Sequence, residues 1–446
     1  MKCKLRILSP VHIGCGESYN SATFLLDKRK KPVLVSILDE HALFSVFNEM
    51  HLRKYICWIE KERFPNLFNF LRKELNDRNF FLQNQLQKKA LYTIQSFTGE
   101  EKLQDINVFI KQTSNPYIPG TEIKGAVRTA IIYCTFIEDQ WIRKWFASAV
   151  DKMLLETTDN KKKKETYLDY VNLVRNKTDP ENWRKKELVK RMRKITSTLE
   201  DKILNSKPND AKYDLMKFLQ ISDSDLMDPD SLAISYSKLF NPSKKPVFYE
   251  YLIRNKEVKI NCFQTNANFI KKQQLDRMGF SERQKTLLSS LTKIFDCCYR
   301  FTDDLIQEEI EYFEEHHKME IVKQLQHIAS LNTPESPVLR IGKDEGYNSV
   351  TIGLALKKTL PELYDKVLIH ATKGKSYDAE HGGPFPKSRK IVHWNGEELT
   401  AGWVQLIPVE DHNEQKTENI HDKSTSQKAN IFIEPDLSEL KIKYKS

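Results

Sequence analysis

Strand-like runs stand at both ends and in the middle of this 446-residue chain, with helical blocks of unequal length between them. That spacing is not the regular strand–helix alternation of a doubly wound parallel sheet. It points to an α+β fold with a mostly antiparallel sheet and large helical insertions. The clearest run is the first. Across residues 2–13, Cys3, Leu5 and Ile7 alternate with Lys2, Lys4 and Arg6, the period-two pattern of a strand with one buried face. SPVHIGCGE ends it, and Gly14 and Gly16 there mark a turn or bulge. TFLLD (23–27) and PVLVSI (32–37) read as a hairpin around KRKK, and 39–58 as a helix. A long helical region follows, broken near Asn115-Pro116. Strand character returns at 214–223, 245–254 and 258–263, and again at 338–342, 390–395 and 402–407, with a helical block over 281–330 between the two groups.

The most informative segment is YIPGTEIKGAVRTAII (117–132). Pro119 fixes its own φ and biases Ile118 toward an extended backbone, while Gly120 permits a sharp turn or a close approach. Thr121 is the expected N-cap of a helix, with Glu122 in its first turn. Ile123, Val127, Ala130, Ile131 and Cys134 follow at helical spacing and form its apolar side. The helix is expected to continue through Trp141 and Trp145. Lys124 and Arg128 stand four apart, so they share one face near the helix start. Free N–H groups and two cations there suit a phosphate; the competing reading is a capped core helix with solvated cations. Gly120 and Gly125 have the glycine spacing of a phosphate-binding loop. Ala126 and Val127 stand where that loop needs Lys and Ser or Thr, so no nucleotide cofactor is implied.

Bulk properties narrow the class. Lys and Arg number 71 against 61 Asp and Glu, a net charge of +10 that favours an anionic partner without requiring one. No apolar run reaches the length of a membrane span, and the first residues have no continuous apolar stretch of a signal peptide. The seven cysteines form an odd set without a C-x-x-C pair, which reads as reduced thiols in a cytoplasmic protein and against zinc. Residues 159–164 are a Lys-rich loop. Residues 175–204 are basic, with an apolar stripe of Leu188, Met192, Ile195, Leu199 and Ile203, as in an amphipathic helix. The polar run 411–430 has a disordered composition.

His12, beside glycines at a strand end, is the candidate general base, although a lone histidine at a turn is more often a structural donor. The other histidines have no metal-ligand spacing. LRIGKDEGYNSVTIG (339–353) gathers glycines and cations at a strand end, and HGGPFPKSRKIVHW (381–394) joins Gly382 and Gly383 to Phe385, Lys387, Arg389 and Lys390. Glycines that admit a ligand, cations and an aromatic suit the phosphates and bases of a single strand; a solvated loop is the alternative.

SPVHIG, IPGTEIKGAVR, FLQISDSD, LRIGKDEGYNSVTIG and GGPFPKSRKIV, in that order, resemble the RAMP superfamily of CRISPR proteins over residues 2–407. Within it the chain is most similar to a terminal subunit of type III-A (Csm) effector complexes. The resemblance implies a ferredoxin-like (RRM-like) core in an N-terminal portion (1–212) and a C-terminal portion (213–410), followed by a polar tail (411–446). It implies a non-catalytic RNA-binding subunit near the 3′ end of the guide RNA, acting in guide maturation and complex assembly. Its partners would be the CRISPR guide RNA, other RAMP subunits, target RNA and host nucleases, with no cofactor, metal or membrane. The positions that match the family's RNA-facing motifs are His12, Gly14, Lys124, Arg128, Gly382, Gly383, Lys387 and Arg389, with Lys390 beside them. Two alternatives stay open: a metal-independent endoribonuclease with His12 as base and Tyr19 nearby, and a platform that docks a host nuclease on the basic helix at 184–203.

Overall fold

A computed structural model describes residues 1–409 apart from 100–102, 104, 158–181, 209, 241–243, 267–271 and 373–384. The expected Lys-rich loop, the polar tail and the pair Gly382 and Gly383 lie outside the described residues.

The first strand, Lys2–Ile7, buries Cys3, Leu5 and Ile7 and turns Lys4 and Arg6 outward. On that outer face Lys4 and Arg6 both pair with Glu257, at 3.3 and 2.9 Å. The strand is shorter than expected, because the chain leaves the sheet at Leu8 and begins a second strand, Gly14–Tyr19, whose register shifts between Gly14 and Ser18, the bulge expected around Gly14 and Gly16. Lys2–Ile7 sits inside a four-stranded sheet of order Glu257–Ile260, Lys2–Ile7, Trp403–Val409, Val338–Arg340. Every pairing in it is antiparallel. Two long helices, Gly120–Glu138 and Leu291–Glu315, pack on each other beside this sheet, with the rings of Tyr133 and Phe301 4.9 Å apart. This α+β plan is the ferredoxin-like arrangement expected from the sequence.

A nine-stranded sheet adjoins it. Its main path runs Gly14–Tyr19, Ile106–Phe109, Val247–Leu252, Leu232–Phe240, Tyr92–Ser96, Val33–Ile37, Phe24–Asp27. Arg389–Trp394 also pairs with Leu232–Phe240 and carries Glu397–Leu399 on its other edge. Two of the pairings are parallel, so this sheet is mixed. Both sheets draw strands from both sides of residue 212, and residues 1–409 form one compact unit.

Several elements differ from expectation for identifiable reasons. The helix over 39–58 divides into Glu40–Val46 and Glu49–Lys61, because Asn48 caps the second half through the His51 N–H. The expected helical region before Asn115 holds Leu67–Lys73 and Phe81–Lys88, then the strands Tyr92–Ser96 and Ile106–Phe109. The motif helix stops at Glu138. Asp139 caps a separate helix, Gln140–Thr157, that carries Trp141 and Trp145. The expected strand at 214–223 is one 3-10 turn, Leu215–Phe218, and the short strand Leu219–Ile221. The central strand Leu232–Phe240 was not anticipated. Its serines replace the apolar residues that mark a buried strand, and Ser235 bonds inside the sheet to the His393 carbonyl. Helix Asn182–Leu204 buries Leu199 and Ile203 as its stripe predicts. All seven cysteines are free thiols. Among the described residues no helix is long and apolar enough to cross a membrane.

Candidate nucleic-acid interface

The start of the motif helix is built by two sequence segments that interlock. Pro119, with extended backbone, occupies the N-cap position expected for Thr121, and Gly120 is the first helical residue. The Gly120 N–H donates to the Asp223 carboxylate at 2.8 Å. One residue earlier the Ile118 N–H donates to Ser224 Oγ at 2.8 Å, and the Ser224 N–H returns a bond to the Ile118 carbonyl at 2.9 Å. A Cβ on residue 120 would stand 2.3 Å from the Ile221 carbonyl oxygen, so only glycine fits. FLQISDSD thus supplies the anion for this helix start from within the chain, where the sequence left both a phosphate and a capped core helix open.

Lys124 and Arg128 do share a face, and it points toward helix Asn182–Leu204. Arg128 pairs with Asp214 at 2.9 Å and with Glu200. Its charge is answered by two carboxylates. Lys124 makes no ion pair with the described residues; burial lowers its proton affinity, Asp214 raises it and Arg128 lowers it again.

His12 lies elsewhere, on the floor of a cleft of about 440 Å³ lined also by Gly14, Glu17, Asn107, Glu122, Tyr249 and Lys343, among others. Only 2% of the residue is exposed. Its Nδ1 donates to the Glu250 carbonyl at 2.7 Å, and its ring packs 4.7 Å from Tyr249 and 6.0 Å from Phe109. Nε2 lies against Gly14 and makes no hydrogen bond with the described residues. Burial lowers the imidazole pKa to about 4, against a rise from the Glu250 carbonyl. The ring is therefore neutral at physiological pH and a weak base. The hydroxyl of Tyr19, its expected catalytic companion, is hydrogen-bonded to the Tyr92 hydroxyl at 3.2 Å. Beneath the floor the fully buried Glu250 carboxylate accepts from the Tyr92 hydroxyl at 2.7 Å, from the Phe109 N–H at 2.8 Å and from Lys111. This network fixes the strand that carries the Glu250 carbonyl and so the tilt of the histidine.

The late glycine loop closes the other side. Gly342 has φ +81°, and a Cβ there would meet the His12 carbonyl oxygen at 2.4 Å. That same carbonyl accepts the Lys343 N–H at 2.7 Å. The two segments are therefore pinned together, and Lys343 stands exposed at the rim without an ion pair among the described residues. Lys390 donates to Asp344 at 2.6 Å, and both it and Asp344 stand beside Tyr249 of the cleft wall. Burial lowers the proton affinity of Lys390, and Asp344 holds it up.

Of the nine residues expected to face RNA, the seven that the structure describes are thus not one patch. His12 and Gly14 line the cleft, with Lys390 behind Tyr249. Lys124 and Arg128 lie on a helix flank beside Asp214. Lys387 is exposed, its carbonyl held by the Tyr312 hydroxyl at 2.9 Å. Arg389 is expected at the surface and the structure puts it inside, 6% exposed. Its Nε donates to Glu309 at 2.6 Å and its guanidinium lies 4.1 Å over the Tyr312 ring. Glu309 also holds Arg340 at 3.3 Å, so a buried carboxylate is shared by two arginines. The residue that sequence reasoning left unassigned is Lys343. Its signal was present: a lysine directly after a strand-ending glycine in LRIGK.

Residues 4–318 match the family model of the RAMP superfamily, and the chain belongs to that superfamily. Within it, two curated relatives stand out, both described as the CRISPR system Cms protein Csm5. One from Methanocaldococcus jannaschii is 28% identical over 140 residues, covering 30% of this chain and 30% of its own length. One from Streptococcus thermophilus is 28% identical over 141 residues, covering 30% of this chain and 38% of its own length. The matched stretch is well under two thirds of either relative. The fold is similar to a chain of a Csm–crRNA–target RNA ternary complex of a type III-A CRISPR-Cas system, with TM-score 0.60 and 20% identity over 91% of this chain and 100% of that one. It is similar too to T. onnurineus Csm5, with TM-score 0.59 and 19% identity over 90% and 99%.

Proposed function

We propose that the chain is a non-catalytic, RNA-binding subunit of a type III-A CRISPR effector complex, seated at the guide's 3′ end and acting in guide maturation and assembly. The observation that carries this reading is the cleft. SPVHIG and LRIGK, two segments on which the family resemblance rests, are locked together there through the His12 carbonyl, with a lysine at the rim that has no ion pair among the described residues. The partners are guide RNA, target RNA and neighbouring subunits, in line with the complex that the similar chain belongs to. Lys343, Lys387 and Lys124 hold backbone phosphates, which positions RNA without reading its sequence. Arg128 and Arg389 brace the scaffold through their carboxylates, and Lys390 shapes the cleft wall.

The test is the salt dependence of single-stranded RNA binding by the purified protein. Lys343→Ala should weaken binding alike for unrelated sequences and lower the slope of log affinity against log salt by about 0.7, one single-strand phosphate contact. An unchanged affinity and slope would remove Lys343 and the cleft rim from the interface.

A further inference from the structure

Inside the rim, the cleft is equipped for something other than phosphate. His12 Nδ1 donates to a backbone carbonyl at 2.7 Å, so the neutral ring presents Nε2 as a hydrogen-bond acceptor. That nitrogen belongs to a side chain 98% removed from solvent, lies against Gly14 in the cleft lining and has no partner among the described residues. Glu17 and Glu122 line the same cleft, and neither carboxylate makes a hydrogen bond or ion pair with the described residues. Asn107 donates its amide to the Phe248 carbonyl at 2.8 Å, which leaves its Oδ1 as an acceptor. Lys343 is the single cation of the lining. A phosphate, all acceptors and negative charge, would meet acceptors and two carboxylates here. A ribonucleoside meets them with hydroxyl and N–H donors. Tyr249 adds an aromatic face suited to a base. The volume, about 440 Å³, lies within the roughly 300–1,000 Å³ of small-ligand clefts.

We infer that the cleft takes one ribonucleoside of the bound strand, its ribose 2′-hydroxyl donating to His12 Nε2, while Lys343 holds the adjoining phosphate. This rests on the RNA-binding reading above and extends it: the protein selects ribose over deoxyribose at this position.

The experiment compares one single-stranded sequence as RNA, as 2′-fluoro RNA, which keeps the ribose pucker but cannot donate, and as DNA. Each is titrated against the full-length wild-type protein, the His12→Phe variant and the His12→Gln variant. Wild type should bind RNA about threefold to tenfold more tightly than 2′-fluoro RNA, the worth of one net hydrogen bond. In His12→Phe, which keeps a ring in the site, that ratio should fall to about one. Equal wild-type affinity for RNA and 2′-fluoro RNA overturns the inference whatever the variants do. So does a ratio that survives His12→Phe. Oligouridine and oligoadenosine separate the sources of the donor: a preference that follows the base and not the sugar overturns the ribose assignment. Failure of the wild-type protein to bind RNA at low salt would instead overturn the RNA-binding reading itself.

Discussion

A methyl group at residue 120 would approach backbone oxygens of Ile221 and Ser222 at 2.3 and 2.8 Å. Neither oxygen can swing aside as a side chain would. Gly120→Ala should therefore cost about 2 kcal/mol or more, by parting the Ile118–Ser224 and Gly120–Asp223 bonds, and urea denaturation would record it. Asp223→Ala, which removes only the carboxylate at the helix start, should cost about 1 kcal/mol. His12 makes a different prediction at the same scale. Its pKa falls from 6.5 to about 4 on folding, so between those values the unfolded chain binds more protons. The stability linked to it is complete above pH 6.5 and is lost as pH falls through about 4, up to about 3 kcal/mol in all. His12→Phe should flatten the acid limb of a plot of urea midpoint against pH over that window; an unchanged limb would mean that the ring is not held neutral.

At the scale of elements, the shared carboxylate of Glu309 ties helix Leu291–Glu315 to strands Val338–Arg340 and Arg389–Trp394. Glu309→Gln leaves two buried guanidinium groups without a counter-charge and should cost about 3–5 kcal/mol, measurable as a drop in Tm. Arg389→Lys should not restore stability, because an ammonium lacks the planar group that lies over Tyr312. This triad marks where sequence reasoning reached its limit. The strand at 389–394 was legible from its alternation, and so were the first strand, the hairpin at 24–37 and the motif helix. What alternation does not state is whether an arginine in such a strand faces water or a carboxylate 80 residues away. Arg389 shares a strand face with buried Ile391, and that parity was the available clue. The same limit applies to the candidate site. Glycines and cations were recognisable along the chain, but Asp214, Glu200 and Asp223, which answer Arg128 and the helix start, come from segments that fold onto the motif only in three dimensions. The strand Leu232–Phe240 escaped notice because partners on both sides bury residues that look half polar in isolation.

For the molecule as a whole, the four-stranded sheet joins strands made about 400 residues apart. Leu5 lies between Val258 on one side and Leu406 on the other. Ending the chain after residue 402 would uncover one edge of the first strand along all six of its pairings and expose the apolar face shared with Val404 and Leu406. Such a truncation should give insoluble protein, checked by the soluble fraction on expression beside a chain ending after residue 409, which keeps the sheet intact. The same pairing has a consequence during synthesis. Residues 2–7 are made well before both of their neighbours: one flanking strand follows only after residue 256 and the other only after residue 402. At roughly 5–20 residues per second the first strand waits about 20–80 s for its last neighbour. Throughout that interval an apolar nascent edge is open to a chaperone or to a neighbouring polysome, a hazard set by the order of synthesis and not by the stability of the finished sheet.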